Sequence, residues 1–237
     1  MELNREEIIK NVHIWRERID EASARWGGCE ICGVTKTHDA ETINASYDAG
    51  IRIIGENRVQ ELLSKIDDLN PAFEIHLIGA LQTNKVKNVV GRVQMIQSVD
   101  RESLAREIDR RAAERNITAN VLIEVGIAGE AQKSGVPEDG LPALLRLCAE
   151  LEHVRVRGLM SVMPIADDPE DVRIYFKRMR AWFDRLRDHP VSDRVSMDVL
   201  SMGMSNDCIV AAQEGATMVR LGRALYGARA YPANREV

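Results

Sequence analysis

Long uncharged apolar runs are missing from this sequence, which excludes a membrane-spanning helix. Basic excess is missing too. The formal net charge is -5, and that balance argues against a general nucleic-acid binder. The opening Met1-Glu2-Leu3-Asn4-Arg5-Glu6-Glu7 has no apolar segment behind a basic start, so no signal peptide is read and the expected address is cytoplasmic. Cysteines number only four, too few in a chain of this length for a disulfide framework. Cys29 and Cys32 form a C-x-x-C pair, but Cys148 and Cys208 are isolated and no second pair completes a zinc site. The pair falls where a strand begins, not at a helix N-terminus that would lower a thiol pKa, so the thiols read as small hydrophobes and no metal is expected. Short-period repeats, low-complexity linkers and composition breaks are all lacking, so a single domain over 1–237 is expected.

What is present suffices for a sizeable core: 45% of the 237 residues are hydrophobic and 29% are charged. Residues 4–25 read as a helix, with Ile8, Val12, Trp15 and Ile19 at helical spacing, Asn4 as cap and Gly27-Gly28 as stop. Because it precedes the first strand, this helix must pack against the rest. Strands are then predicted over 29–36, 51–55, 74–79, 93–98, 120–125, 154–162, 197–201 and 217–221. Helices are predicted over 39–49, 58–68, 84–90, 101–115, 138–151, 169–187 and 206–214. Short apolar strands alternating with helices are the pattern of a parallel sheet, and eight of them suggest a closed (β/α)8 barrel, with an open doubly wound sheet as the alternative. The parts are then an N-terminal helix over 1–28, a barrel over 29–228 and a tail over 229–237.

Functional groups of such a barrel cluster at the C-terminal ends of its strands. Lys36 ends the first strand. An ammonium is unfavourable inside a strand core, so Lys36 either faces a cavity at the strand's mouth or lies on the surface just beyond it. Glu56-Asn57 follow the second strand, Ala80-Leu81-Gln82 the third, and Gly126 with the loop to Lys133-Ser134-Gly135 the fifth. The seventh gives Ser201-Met202-Gly203-Met204-Ser205 and the eighth Gly222-Arg223. Loops after strands seven and eight often hold phosphate in barrels. Gly203 and Gly222 allow close backbone approach, Ser205 offers a hydroxyl, Asn206-Asp207 open a helix, and Arg223 adds positive charge. Arg220 lies between Val219 and Leu221, so its guanidinium points into the barrel and needs a partner. A ligand's ring nitrogen is one candidate and the Asp198 carboxylate another. Beside the first strand, its charge would depress the pKa that a Schiff-base lysine at position 36 requires.

Several stretches, in this order and spacing, resemble the YggS-type pyridoxal phosphate homeostasis proteins, called PROSC or PLPBP in animals. They are Val34-Thr35-Lys36-Thr37, Gly55-Glu56-Asn57-Arg58-Val59-Gln60-Glu61, His76-Leu77-Ile78-Gly79, Leu81-Gln82-Thr83-Asn84-Lys85, Lys133-Ser134-Gly135, Arg157-Gly158-Leu159-Met160, Leu200-Ser201-Met202-Gly203-Met204-Ser205 and Thr217-Met218-Val219-Arg220-Leu221-Gly222. The resemblance spans nearly the whole chain. It implies a barrel similar to the N-terminal domain of alanine racemase, holding pyridoxal 5'-phosphate (PLP) as an internal aldimine on Lys36. It further implies that Ser201, Gly203, Met204, Ser205 and Gly222 cradle the phosphate, that Arg220 faces the pyridine nitrogen, that Asn57 lies near the ring, and that His76 supports the site from the barrel interior. Two positions depart from the family pattern. Arg223 stands where threonine is usual, and Ala80 where histidine or proline is common.

Three functions compete. In the first, the chain stores, buffers or delivers PLP, with apo PLP-dependent enzymes as recipients, and acts as a monomer or weak dimer without turnover. In the second it is an amino-acid racemase. In the third it binds another phosphate ester and uses Lys36 only as a charge. Arginine at the pyridine nitrogen favours the first, because PLP is the strongest electron sink when an acid keeps that nitrogen protonated. Racemisation also needs a second base. Among Tyr47, Tyr175, Tyr226 and Tyr231 none is an obvious one, and the chain ends too soon after its eighth strand for a second domain to supply it.

Overall fold

In the computed structural model, residues 3–129 and 134–227 are described, and Lys133 and the 229–237 tail with Tyr231 lie outside them. Helix α1 (Arg5–Ser23) starts where the sequence indicates. Asn4 accepts from the Glu7 N–H while the Glu7 carboxylate accepts from the Asn4 N–H, a reciprocal capping box. A 3-10 turn (Ala24–Trp26) and Gly27 then end it.

Nine parallel strands follow: β1 (Glu30–Val34), β2 (Ile53–Glu56), β3 (Glu74–Leu77), β4 (Met95–Val99), β5 (Ala119–Gly126), β6 (Val136–Pro137), β7 (Val154–Met160), β8 (Val195–Met204) and β9 (Met218–Leu221). Eight of them form a ring in the order β4-β3-β2-β1-β9-β8-β7-β5, and pairing of β4 with β5 closes it. The two-residue β6 hangs outside the ring on β5, an addition the sequence did not signal. The expected closed barrel is therefore present. Between the strands run α2 (Ala40–Asp48), α3 (Val59–Lys65), α4 (Glu102–Ala113), α5 (Leu141–Glu150), α6 (Arg173–Asp188) and α7 (Cys208–Gln213), and α8 (Arg223–Tyr226) follows β9. No helix of the described residues is long and apolar enough to cross a membrane.

After β3 the predicted helix over 84–90 is instead a 3-10 helix, Thr83–Asn88. Its buried Val86 and the following buried Val89 are three residues apart, and residues at i and i+3 eclipse in 3-10 geometry, so both reach the core from one short turn.

Alternation along each strand divides the buried residues into two sets. Ile31, Leu77, Ile96, Leu200, Val219 and Leu221 face outward into the main core under the helices. Met95, Leu122 and Met160, with Val199 beside them, form a separate apolar cluster inside the ring. The other inward positions of β3, β4, β8 and β9 carry buried polar groups: His76, Gln97, Ser201 and Arg220. In register, Cys32 of β1 lies between Ile53 of β2 and Arg220 of β9, which brings the Arg220 strand beside the one that leads to Lys36.

Candidate functional site

A cavity of about 370 Å³ opens at the C-terminal end of the ring. Lys36, Asn57, Met204, Ser205, Arg220, Gly222 and Arg223 all line it, together with Asp207. The far wall is apolar, with Val162, Pro164, Ile165 and Val172 on the segment after β7. Ile165 is 93% exposed there.

The backbone that presents Lys36 is clamped from behind. Buried Lys65 of α3 donates to the carbonyls of Thr35 at 2.8 Å and His38 at 3.1 Å, one on each side of Lys36. Its ammonium also pairs with Glu56 Oε1 at 2.6 Å and Glu61 Oε1 at 3.3 Å. The Thr35 hydroxyl donates to Glu56 and the Thr37 N–H to Glu61. Thr37 itself is left-handed, at φ 70, a conformation disfavoured for a β-branched residue and held by these contacts. Burial pushes the Glu56 carboxyl up, while Lys65 and the Thr35 hydroxyl draw it back.

Arg220 is 4% exposed. It donates to Ser201 Oγ at 2.8 Å and to the Ser161 carbonyl at 2.8 Å. Burial lowers its pKa, and the nearby Cys32, Glu124 and Asp207 oppose that. Asp198 is not its partner. Inward positions near the N-terminal ends of strands face the opposite mouth, and there Asp198 pairs with Arg157 at 2.6 Å.

The two glycine-bearing turns meet as the sequence suggested, with different detail. Ser201 is fully buried behind Arg220, and its hydroxyl is already used there. Gly203 sits at φ 92, and a Cβ on it would lie 2.5 Å from Ala211 Cβ, so glycine answers first to the closeness of α7. The α7 helix spans only Cys208–Gln213 and begins two residues later than expected. Before it, the Asp207 carboxylate accepts the Met204 N–H at 2.6 Å, which places an acidic group beside an amide expected to meet an anion. Burial pushes the Asp207 carboxyl up. The Ala224 N–H donates to Ser205 Oγ at 3.4 Å and ties the two turns together. Exposed Arg223 borders the same turns.

Sequence reasoning missed two interior polar groups, Gln97 and Glu124, and read Asp207 only as the opening of a helix. Glu124 interrupts the apolar run Val121-Leu122-Ile123-Glu124-Val125, and that interruption was the available signal. Burial pushes its carboxyl up, and the Ser134 hydroxyl donates to it. His76 is buried in the ring, between Gln97 and Glu74. Of the tyrosines, Tyr47 lies on α2 and Tyr175 on α6. Tyr226 is buried on α8, its hydroxyl 3.0 Å from Ser46 Oγ. No tyrosine lines the cavity among the described residues.

Residues 4–230 match the family model "Alanine racemase, N-terminal domain". The chain is 46% identical to the pyridoxal phosphate homeostasis protein of Aquifex aeolicus (strain VF5), over 91% of this chain and 95% of the relative. The Escherichia coli (strain K12) protein of the same name is 36% identical, over 95% and 98%. Among solved structures, PipY of Synechococcus elongatus PCC7942 with PLP bound superposes with a TM-score of 0.81, at 32% identity over 93% of this chain and 100% of that one. Alanine racemase of Corynebacterium glutamicum, at 18% identity and a TM-score of 0.66, covers 94% of this chain and 60% of its own, and shares the fold.

Proposed function

The chain belongs to the pyridoxal phosphate homeostasis protein family, and on that premise we propose that it binds PLP with Lys36 as the Schiff-base lysine and holds the cofactor without turnover. One observation carries the assignment: Lys36 and Arg220, from neighbouring strands, border one cavity with Ser205 and Arg223. The residues fit the cofactor. Asn57 Oδ1 is buried and unpartnered among the described residues, and in the cavity it shares with Lys36 a hydrogen-bond donor on the ring would satisfy it. Ser205 and Arg223 supply a hydroxyl and a positive charge for the phosphate, and Gly222 keeps that wall low. Ser201 acts through Arg220 and not directly on the phosphate.

When bound, PLP supplies an electrophilic aldehyde and an electron sink. The protein side determines how much of that is used. Arginine only donates hydrogen bonds, so Arg220, if set against the ring nitrogen, would require that nitrogen to be unprotonated and would weaken the sink. Among the described residues no tyrosine stands at the cavity as a second base. These features support a carrier that buffers PLP or passes it to apo PLP-dependent enzymes.

The test is the near-ultraviolet and visible absorbance of the purified protein after incubation with PLP and desalting, for wild type and Lys36→Ala. A violet band that borohydride moves and the variant lacks is expected. A wild type that retains no band would sink the assignment and favour another phosphate ester. Racemisation of alanine at rates of about 1 per second or more would overturn the carrier reading.

A further inference from the structure

We propose that Gln97 is a positioning residue for Arg220, the middle member of a one-directional hydrogen-bond chain that crosses the barrel interior and ends on Glu74. The links are short and consecutive. Arg220 Nη1 lies 2.8 Å from Ser201 Oγ. Ser201 Oγ lies 2.7 Å from Gln97 Oε1. Gln97 Nε2 lies 2.7 Å from His76 Nδ1. His76 Nε2 lies 2.9 Å from Glu74 Oε1. Gln97 and Ser201 are 0% exposed and His76 1%, so solvent is a poor substitute for any lost link.

Chemistry gives the chain its direction. A guanidinium has donors only, so Ser201 Oγ accepts from Arg220 and must spend its own proton elsewhere. Gln97 Oε1 receives it. The Gln97 Nε2 then turns both hydrogens toward acceptors, His76 Nδ1 and the Met218 sulfur at 3.4 Å. His76 Nδ1 is therefore unprotonated, and the ring carries its proton on Nε2, facing the Glu74 carboxylate. The opposite amide orientation would place the Gln97 carbonyl against Nδ1. It would also turn the Gln97 amide nitrogen toward Ser201 Oγ, which already accepts from Arg220, and take away the acceptor of the Ser201 proton. A donor-only cation at one end and an acceptor-only anion at the other thus dictate each proton between them.

The consequence concerns Arg220. Its other anchor is the Ser161 carbonyl, whose residue is held in turn by its hydroxyl on the Val125 carbonyl at 2.7 Å. No carboxylate makes an ion pair with Arg220 among the described residues. Its guanidinium plane is set by two neutral acceptors, one of which Gln97 orients. Gln97 does not line the cavity, so it acts at a distance of one residue.

Two measurements test this. The first uses the cofactor-free protein: side-chain ¹⁵N shifts of His76 should show an unprotonated Nδ1 and a protonated Nε2. A proton on Nδ1 would overturn the chain. The second rests on the PLP reading above. Gln97→Leu should weaken PLP binding about tenfold, the effect of loosening one buried hydrogen-bonded group. Arg220→Lys removes the planar fork, and in that background Gln97→Leu should change the affinity by less than about twofold. Additive losses would show that Gln97 acts independently of Arg220 and would overturn the proposal. Should Gln97→Leu fail to fold, Ser201→Ala breaks the adjacent link and carries the same two expectations. Absence of PLP binding by wild type would defeat the cofactor reading alone, because the His76 shifts decide the proton order without it.

Discussion

Gly158 shows how much one missing side chain can decide. It stands where β7 is out of step with both neighbours, opposite Leu122 of β5 and Val199 of β8. Its φ is 148, and a Cβ there would lie 1.8 Å from the Val199 carbonyl oxygen. Only glycine lets the bulged strand keep that register. The glycine of the Arg157-Gly158-Leu159-Met160 stretch thus has a backbone reason and not a ligand. Gly158→Ala should cost at least about 3 kcal/mol of stability, read from the denaturant midpoint, and an unchanged midpoint would contradict the register argument. The cysteines tell a related story. All four are buried and free, and burial pushes each thiol up to about 12, so the C-x-x-C pair offers no thiolate near neutral pH.

Among the elements, α3 is the one that serves the site from outside the ring. Its last residue, Lys65, reaches under the end of β1 and holds the carbonyls that flank Lys36. Glu56, at the end of β2, is fully buried against it, with Oε2 unpartnered among the described residues. Removing the ammonium leaves a buried carboxylate uncompensated. Lys65→Met should therefore destabilise the fold by about 3–5 kcal/mol, and adding Glu56→Gln should recover a large part of that loss. Equal chemical-denaturation midpoints for the single and double variants would show that the pair is not the source. The clamp also explains why a β-branched residue tolerates a left-handed backbone at Thr37: the Glu61 carboxylate fixes its N–H.

For the molecule as a whole, α1 packs as an extra outer helix beside the short helix that follows the last strand. The helix after β9 is α8, only Arg223–Tyr226. The α1 helix packs against α2, α7 and α8. Ile8, Val12 and Ile19 are buried there, each worth about 2 kcal/mol on burial. Their sum approaches the net stability of an ordinary domain, about 5–15 kcal/mol. A chain lacking residues 1–23 should lose its cooperative thermal transition by circular dichroism. A sharp transition near that of the full chain would show that α1 is an accessory.

Much of the architecture was legible because it depends on local period. Apolar strands between amphipathic helices encode a covered parallel sheet wherever they occur, and the capped helix before the first strand announced itself through Asn4 and the helical spacing of Ile8, Val12, Trp15 and Ile19. Lys36 and Arg220 were legible for the same reason: a cation at a strand end and one between two apolar strand residues stand out against the pattern. What the sequence by itself determined was thus the order of elements and which positions face the ring or its mouth. Tertiary structure alone decided who meets whom. Asp198 went to Arg157 and not Arg220, the Ser201 hydroxyl met the Arg220 guanidinium, Asp207 took the Met204 amide, and Gln97 joined residues from three other strands. Such pairings arise from strand stagger around a closed ring, and stagger is set by bulges and by packing between distant segments, quantities that no local window of residues contains.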